Sequence, residues 1–395
     1  MKIKPQYLSA ALVASALLLA RLDTHAQTLP WQNYTDVPGR AFTAMLDPFS
    51  ANAAEPSIFF GGPATDNGGC SIGLIGAPDA LACSDSDAGT PFHLGHDVFA
   101  NRLYSVGSSG GRWQVRESAD AGGTWQTVDT YSVNNQSSGA AGFASDGNGN
   151  VFVCGWAKDS AGDTHWIVRK RNSIGVWSML RDRSERRKIY KAARVHAENG
   201  YVFVVGEVAD KWAVERLNSG NNTWDLNYTF APKGKRAGAV AVTSRGTDLY
   251  VLGSVGGVSE APEQCVLQRS ANHGAGAWQT VKTFSESVQI NRPRDLAFDT
   301  LGNLYVVGEA TFQAATGDYK LCWIVRRHSA TAPMSDGWQW WLPRGGFPAP
   351  SHELSSAKQA CPDAFGNVFL IGTADIYNPG FTDRRIIVQK WLPPQ

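Results

Sequence analysis

Asp299-Thr300-Leu301-Gly302-Asn303-Leu304-Tyr305-Val306-Val307-Gly308 reads as a tight turn followed by a buried strand. An Asp side chain accepts hydrogen bonds from the backbone just after it, and Gly supplies a positive φ without steric cost. Leu-Tyr-Val-Val carries aliphatic, aromatic and β-branched residues with no helical period, the pattern of a strand buried on both faces. The closing Gly suits a crowded place where another backbone comes close.

The stretch recurs. Asp146 to Gly155 reads DGNGNVFVCG, and Asp363 to Gly372 reads DAFGNVFLIG. Looser copies end at Gly107, Gly206 and Gly253, and the loosest is Ser57-Ile58-Phe59-Phe60-Gly61. The intervals between closing glycines run from about 46 to about 64 residues, a period that denotes a propeller when each unit holds several strands. Two further strands follow each copy. One has the form Trp-x-Val-Arg (Trp113, Trp166 and Trp323, with Trp212-Ala213-Val214-Glu215 a near copy and Cys265 or Ile386 in the Trp place). The other opens on Trp125, Trp278 or Trp338 followed by Gln, or on Trp177 or Trp224. A fourth, innermost strand fits before the Asp turn. The expected fold is all-β: a seven-bladed β-propeller of four-stranded blades.

Trp31-Gln32-Asn33-Tyr34 resembles an outer strand that precedes any blade, and Ile386 to Trp391 a third strand with nothing after it. The N-terminal strand is therefore expected to complete the last blade. Closure of that kind removes open sheet edges. The blades are expected at about 40–88, 89–131, 132–181, 182–230, 231–285, 286–343 and 344–391.

Residues 1–26 read as a secretory signal peptide: Lys2 and Lys4, an apolar run from Leu8 to Ala20, and small residues around Thr24-His25-Ala26. Residues 27–395 then form a single propeller domain, secreted and with no transmembrane segment in the mature chain. Composition agrees, with 41 Gly, 11% aromatic and only 18% charged residues. Cys70 and Cys83 fall on adjacent outer strands of blade one, where a secreted protein would form a disulfide. Cys154, Cys265, Cys322 and Cys361 fall on strands of different blades and read as buried thiols. Sequons stand at Asn33, Asn135, Asn221 and Asn227.

Ser118-Ala119-Asp120-Ala121-Gly122-Gly123-Thr124-Trp125 is a full S-x-D-x-G-x-T-W match, with degenerate versions at Asn218–Trp224 and Ser270–Trp278. It resembles the Asp-box hairpin of sialidase-like (BNR) propellers, a resemblance that implies a structural turn remote from any active site. Asp and Ser bond the turn, Gly takes the unusual dihedral, and Trp packs between blades. The inner repeat, D-x-x-G-N-[VL]-[FY]-x-x-G, resembles the bacterial seven-bladed propeller repeat known as SBBP over most of residues 89–395. That resemblance implies a fold and transfers no catalytic residues.

Aligning the blades gathers cations in the approach to the inner strands: Lys191, Arg194, Lys235, Arg236, Arg292, Arg294 and Lys358, with Arg40 nearby in blade one. Equivalent places in successive blades surround one mouth of the central channel. A ring of cations there would attract anions, and Arg suits a carboxylate, sulfate or phosphate. The alternative is a set of solvated loops whose charges never converge. Arg181 to Lys188 (RDRSERRK) adds positive charge on a loop leading in, although the net charge is only +1.

Other chemistry finds less. A sialidase needs three Arg, a Tyr–Glu pair and an Asp acid; Arg292-Pro293-Arg294 is a poor substitute for the family's R-I-P motif, and Tyr190 lies near Glu185 in sequence alone. His93 and His96, with Asp97 following, have no third ligand placed, and Asp85 and Asp87 lack the rest of a calcium loop, so no metal and no cofactor is expected. Nucleotide and nucleic-acid motifs are absent. Asp336 to Trp341 makes one outer strand unusually aromatic, which suits edge packing or a sugar-stacking face. The function expected is a secreted binding protein taking an anionic glycan or a protein partner at the channel mouth. A glycan-active enzyme (glycosidase or lyase) and a structural cell-surface protein are the alternatives.

Overall fold

The computed structural model describes residues 31–38, 43–48, 57–62, 72–76, 80–86, 89–257, 263–285, 291–313, 319–334, 336–341, 352–363, 365–378 and 381–391. The leader, Arg40, Cys70, Asp87 and the Pro343–Pro350 linker lie outside them. Seven four-stranded antiparallel blades form a β-propeller. Blade one is Thr43–Leu46, Ile58–Gly61, Ile72–Gly76 and Ala80–Asp85. Blade two is Thr90–Asp97, Arg102–Ser109, Arg112–Ser118 and Gln126–Tyr131. Blade three is Ser138–Ser145, Val151–Lys158, Thr164–Arg171 and Trp177–Arg183. Blade four is Tyr190–Glu198, Tyr201–Val208, Lys211–Asn218 and Thr223–Phe230. Blade five is Lys235–Arg245, Asp248–Gly257, Gln264–Ser270 and Gln279–Phe284. Blade six is Asn291–Phe298, Leu304–Gln313, Tyr319–His328 and Trp338–Trp341. Blade seven is His352–Pro362, Val368–Asn378 and Phe381–Trp391, and Trp31–Pro38 adds its outer strand in the register Trp31↔Trp391. The chain is thus closed by its N-terminal strand. Among the described residues no helix is long and apolar enough to cross a membrane.

The repeated stretch is the second strand of each blade, sandwiched between the inner and third strands and buried on both faces. Its turn uses the Asn as well as the Asp. In blade six the Asn303 N–H donates to Asp299 Oδ1 at 2.8 Å, and the Asn303 side-chain amide donates to Oδ2 at 2.7 Å. Asp146 with Asn150 and Asp363 with Asn367 repeat both bonds. Gly302 supplies φ +81°.

In blades two to seven the closing Gly does not end the strand, which continues past it. In blades two to seven it faces a β-bulge on the inner strand, as at Ala192/Arg194 opposite Gly206 and Ala140/Gly142 opposite Gly155. A Cβ on Gly206 would lie 2.0 Å from the Lys191 carbonyl oxygen. The glycine signature is therefore a bulge signature: only a hydrogen at that place admits the extra residue.

The core is divided among the interfaces between blades. One apolar cluster joins blades three and four (Phe152, Trp166, Tyr190, Val204), another joins seven and one (Phe369, Ile371, Ala44, Phe60), and the other interfaces repeat the arrangement. The motif tryptophans Trp113, Trp166, Trp212 and Trp323 are fully buried there.

Ion pairs cross the same interfaces. The Trp-x-Val-Arg arginine reaches back to an acid on the outer strand of the preceding blade: Arg116 to Asp85 at 2.5 Å and Arg169 to Asp129 at 2.7 Å. Blade four has Glu215 in the Arg place, and there the pair is reversed. Arg181 and Arg183 of blade three hold its fully buried carboxylate at 3.1 and 2.6 Å. This corrects the expected boundary at 181, because the outer strand of blade three runs through Arg183 to deliver both cations. At the next interface Tyr228 OH donates to Gln268 Oε1 at 3.1 Å, a neutral version of the same contact.

The Ser118–Trp125 hairpin clasps blade one. Asp120 accepts from the Thr124 N–H at 2.7 Å and from its hydroxyl at 2.8 Å. Trp125 Nε1 donates to Ser84 Oγ at 2.8 Å, and Gly122 has φ +87°. Cys83 of blade one is disulfide-bonded, while Cys154, Cys265, Cys322 and Cys361 are thiols.

Candidate functional site

The seven inner strands touch one another in sequence around the ring and so line a central channel. The bulge sets which side chains enter it. The residue just after each bulge is His93, Gly142, Arg194, Ala241, Asp295 or Gln359, and Thr43 takes the equivalent place in blade one. These positions approach the next inner strand closely: a Cβ on Gly142 would lie 2.9 Å from Arg194 Cα. Three of them accept a backbone N–H from the following blade. His93 Nδ1 accepts from Phe143 at 2.9 Å, Asp295 Oδ2 from Ala360 at 3.2 Å, and Gln359 Oε1 from Ala44 at 3.0 Å. The Thr43 hydroxyl also donates to Gln359 Oε1, at 3.1 Å.

Arg194 is the cation of this waist. Its Nη1 donates to the Ala141 carbonyl at 2.9 Å, and no carboxylate among the described residues lies within ion-pair distance of it. Its charge is felt in three other blades. Burial, reinforced by Arg194, holds the His93 imidazole well below its ordinary range, so it stays neutral. Burial pushes the Cys154 thiol up to about 12 against Arg194. Burial likewise pushes the Asp295 carboxyl up to about 6, against Arg194 and the N–H groups of Ala360 and Leu296. Arg194 thus leaves donors unspent near a carboxyl that titrates close to neutrality.

The other mouth cations lie along the inner strands, and the described arginines among them are balanced. Arg236 pairs with Glu207 at 2.6 Å and Asp210 at 3.3 Å. Arg292 pairs with Glu263 at 3.0 Å. Arg294 pairs with buried Glu309 at 2.6 Å, and Arg292 approaches the same carboxylate at 3.8 Å. Burial raises Glu309, but Arg294, the Ser356 hydroxyl and Lys358 together outweigh it and hold the carboxyl low. Lys358 Nζ also reaches Ser356 Oγ at 2.9 Å. Lys191 lies over the Trp156 ring at 5.3 Å. Lys235 begins its inner strand as a half-buried residue.

The remaining candidates separate. His93 lies at the waist, whereas His96 turns to Asn101 Oδ1 at 3.1 Å in the turn beyond. Asp85 is engaged by Arg116. No group of three metal-ligating side chains occurs among the described residues. Tyr190 and Glu185 do meet, at 3.1 Å. The Tyr190 ring is nevertheless packed in the core, and burial with the Glu185 bond raises its phenol, the reverse of an activated nucleophile. Sequence reasoning sought cations alone and so passed over Thr43, Asp295 and Gln359. Their signal was positional: the waist residue stands about 12 to 14 places before the strand glycine in every bulged blade.

No family model matches the chain, and no curated protein matches it. Among solved structures it is similar to the propeller of Dos1, with a TM-score of 0.50 and 8% identity over 93% of this chain and 96% of that one. A protein of unknown function from Dyadobacter fermentans gives 0.48 at 12% identity, covering 92% and 99%. An α-L-arabinanase from Penicillium chrysogenum complexed with arabinobiose gives 0.43 at 11%, covering 74% and 91%. At these identities the likeness is one of fold.

Proposed function

We propose that the protein is a secreted binding protein whose channel accepts the anionic group of a glycan or of a protein side chain. The observation that carries this reading is Arg194, a guanidinium at the channel waist with spare donors and no carboxylate partner among the described residues. The mouth arginines are balanced by Glu207, Glu263 and Glu309, so they frame the entrance while Arg194 supplies the unspent guanidinium charge. The Cys83 disulfide supports an oxidising compartment. A glycan array at low and physiological salt is the direct screen. Arg194→Gln should weaken binding of an acidic ligand about tenfold or more, whereas Arg236→Gln should change it about twofold. Equal losses in both variants would refute the waist as the site.

Asp295 gives the binding a pH signature. Below about pH 6 its carboxyl is neutral and Arg194 acts unopposed, so affinity should rise as pH falls through 6. Asp295→Asn should abolish that rise and bind at pH 7 as the wild type does at pH 5. The sign for stability follows the same proton. The folded chain holds this carboxyl above the ordinary aspartate value of 3.8, so its contribution is fully present below 3.8 and lost as pH rises through 6. Asp295→Asn should therefore melt higher than wild type at pH 7 and no higher at pH 3.

The second reading is a glycan-active enzyme, favoured by the same carboxyl, since a group titrating near 6 suits a general acid. Turnover of an array-positive glycan, lost in Asp295→Asn, would establish it.

A further inference from the structure

Each blade places one residue at the waist, and only two of these carry charge: Arg194 in blade four and Asp295 in blade six. The others are Thr43, a His93 kept neutral by burial, Gly142, Ala241 and Gln359. The two charges are opposite and feel one another: burial pushes the Asp295 carboxyl up to about 6, and Arg194 opposes it. They nevertheless form no ion pair, because each is turned to a different neighbour. Arg194 Nη1 donates back to the Ala141 carbonyl of blade three at 2.9 Å, and Asp295 Oδ2 accepts from the Ala360 N–H of blade seven at 3.2 Å. Ala241, of the blade between them, has no polar side chain to bridge the two.

We infer that the waist takes a zwitterion, its carboxylate on the Arg194 guanidinium and its ammonium on the Asp295 carboxylate. This rests on Arg194 as the channel's anion site, and it narrows the ligand to an acid with an ammonium a few atoms away, as in an amino acid or an amino-sugar acid. Both partners keep capacity for it. A guanidinium has several N–H donors, and Arg194 directs one nitrogen at the Ala141 carbonyl and, at 3.5 Å, the Ala193 carbonyl. A carboxylate accepts more hydrogen bonds than the two that Asp295 takes from the N–H groups of Ala360 and Leu296. Opposite charges held apart by backbone bonds are preorganised, since neither must leave an ion pair to receive its partner. Charges on the strands packed against Asp295 are engaged elsewhere: Glu309 and Lys358 with Arg294, Arg236 with Glu207, and Arg269 with Asp248. The ammonium reverses the pH dependence expected of a plain anion. Protonating Asp295 helps a plain anion but removes the partner of the ammonium, so zwitterion affinity falls as pH drops through about 6.

The test is calorimetric titration with matched pairs that exchange an ammonium for a hydroxyl: glycine against glycolate, alanine against lactate, and glucosaminuronate against glucuronate. At pH 7 the ammonium should tighten binding at least about tenfold within a pair. At pH 5 that gain should shrink to about twofold or less, as Asp295 becomes neutral. Asp295→Asn should lose the gain at both pH values while still binding the hydroxy acids, and Arg194→Gln should lose both members of each pair. A gain larger for the sugar pair assigns the zwitterion to a glycan, and one larger for the amino acids assigns it to a free amino acid; either order supports the site. Hydroxy acids that bind through Arg194 with no gain from the ammonium, or a gain that survives Asp295→Asn, overturn the zwitterion and leave the anion site standing. No binding of any probe, or binding unmoved by Arg194→Gln, removes the anion site and the zwitterion with it. If Asp295→Asn does not fold, the two pH slopes decide: affinity falling towards pH 5 for the zwitterions supports the assignment, and affinity rising for both members overturns it.

Discussion

Glu215→Ala is expected to destabilise the protein by about 3–5 kcal/mol, the cost of removing one partner from a buried ion pair. The carboxylate is fully buried and receives Arg181 and Arg183 from the preceding blade at 3.1 and 2.6 Å. Without it two guanidinium groups remain in a partly desolvated interface with nothing to balance them. The effect should be global, because blades three and four share one apolar cluster under this contact. Urea denaturation of wild type and variant at pH 7 measures it. Lys188→Ala is the control: its pair with Glu185 is exposed on both sides and screened by water, so its loss should barely move the midpoint. A Glu215→Ala loss no larger than that of the control would show that the reversed pair adds nothing to blade docking.

Gly206→Ala should be comparably damaging although it adds one carbon. The new Cβ would lie 2.0 Å from the Lys191 carbonyl oxygen and about 3 Å from the Ala192 and Ala193 backbone, none of which is the end of a flexible side chain. Relief requires the inner strand to shift or the bulge to be lost. Overpacking of this kind typically costs about 1–3 kcal/mol and more where backbone must move. The bulge also aims Arg194, so anion binding should fall with stability. Gly256→Ala separates crowding from any general effect of alanine, since nothing lies within 4 Å of its Cβ; it should stay within about 1 kcal/mol of wild type. Equal costs at the two positions would mean that the repeat glycine is not there for space.

Much of the fold was legible because it depends on local chemistry that recurs. Asp, Gly and Asn at fixed offsets make the same turn wherever they occur, and an apolar run without helical period must be covered on both faces. Three clear copies of that pair fixed a period, and the period implied blades. The N-terminal closure could be read from an orphaned outer strand at one end and a missing one at the other, since a sheet edge left open is a liability. Trp31↔Trp391 realises it. The strand limits were less legible. A glycine reads as a stop, yet Gly155 and Gly206 lie within their strands, because what they relieve is a bulge on a neighbouring strand that the local sequence does not announce.

The site divides along the same line. By itself the sequence determined that basic residues gather before the inner strands, since spacing from a repeat is a one-dimensional property. It could not say which of them keep unspent charge. That depends on partners about 15 to 30 residues away in sequence, such as Glu207 for Arg236 across a blade interface and Glu309 for Arg294 on the neighbouring strand, which only strand pairing and blade packing bring within 3 Å. Nor could it show that Asp295 and His93, from blades six and two, share the field of Arg194. Local hydrogen bonding and apolar patterning set the blades; long-range electrostatics, which act between blades, were decided by the ring.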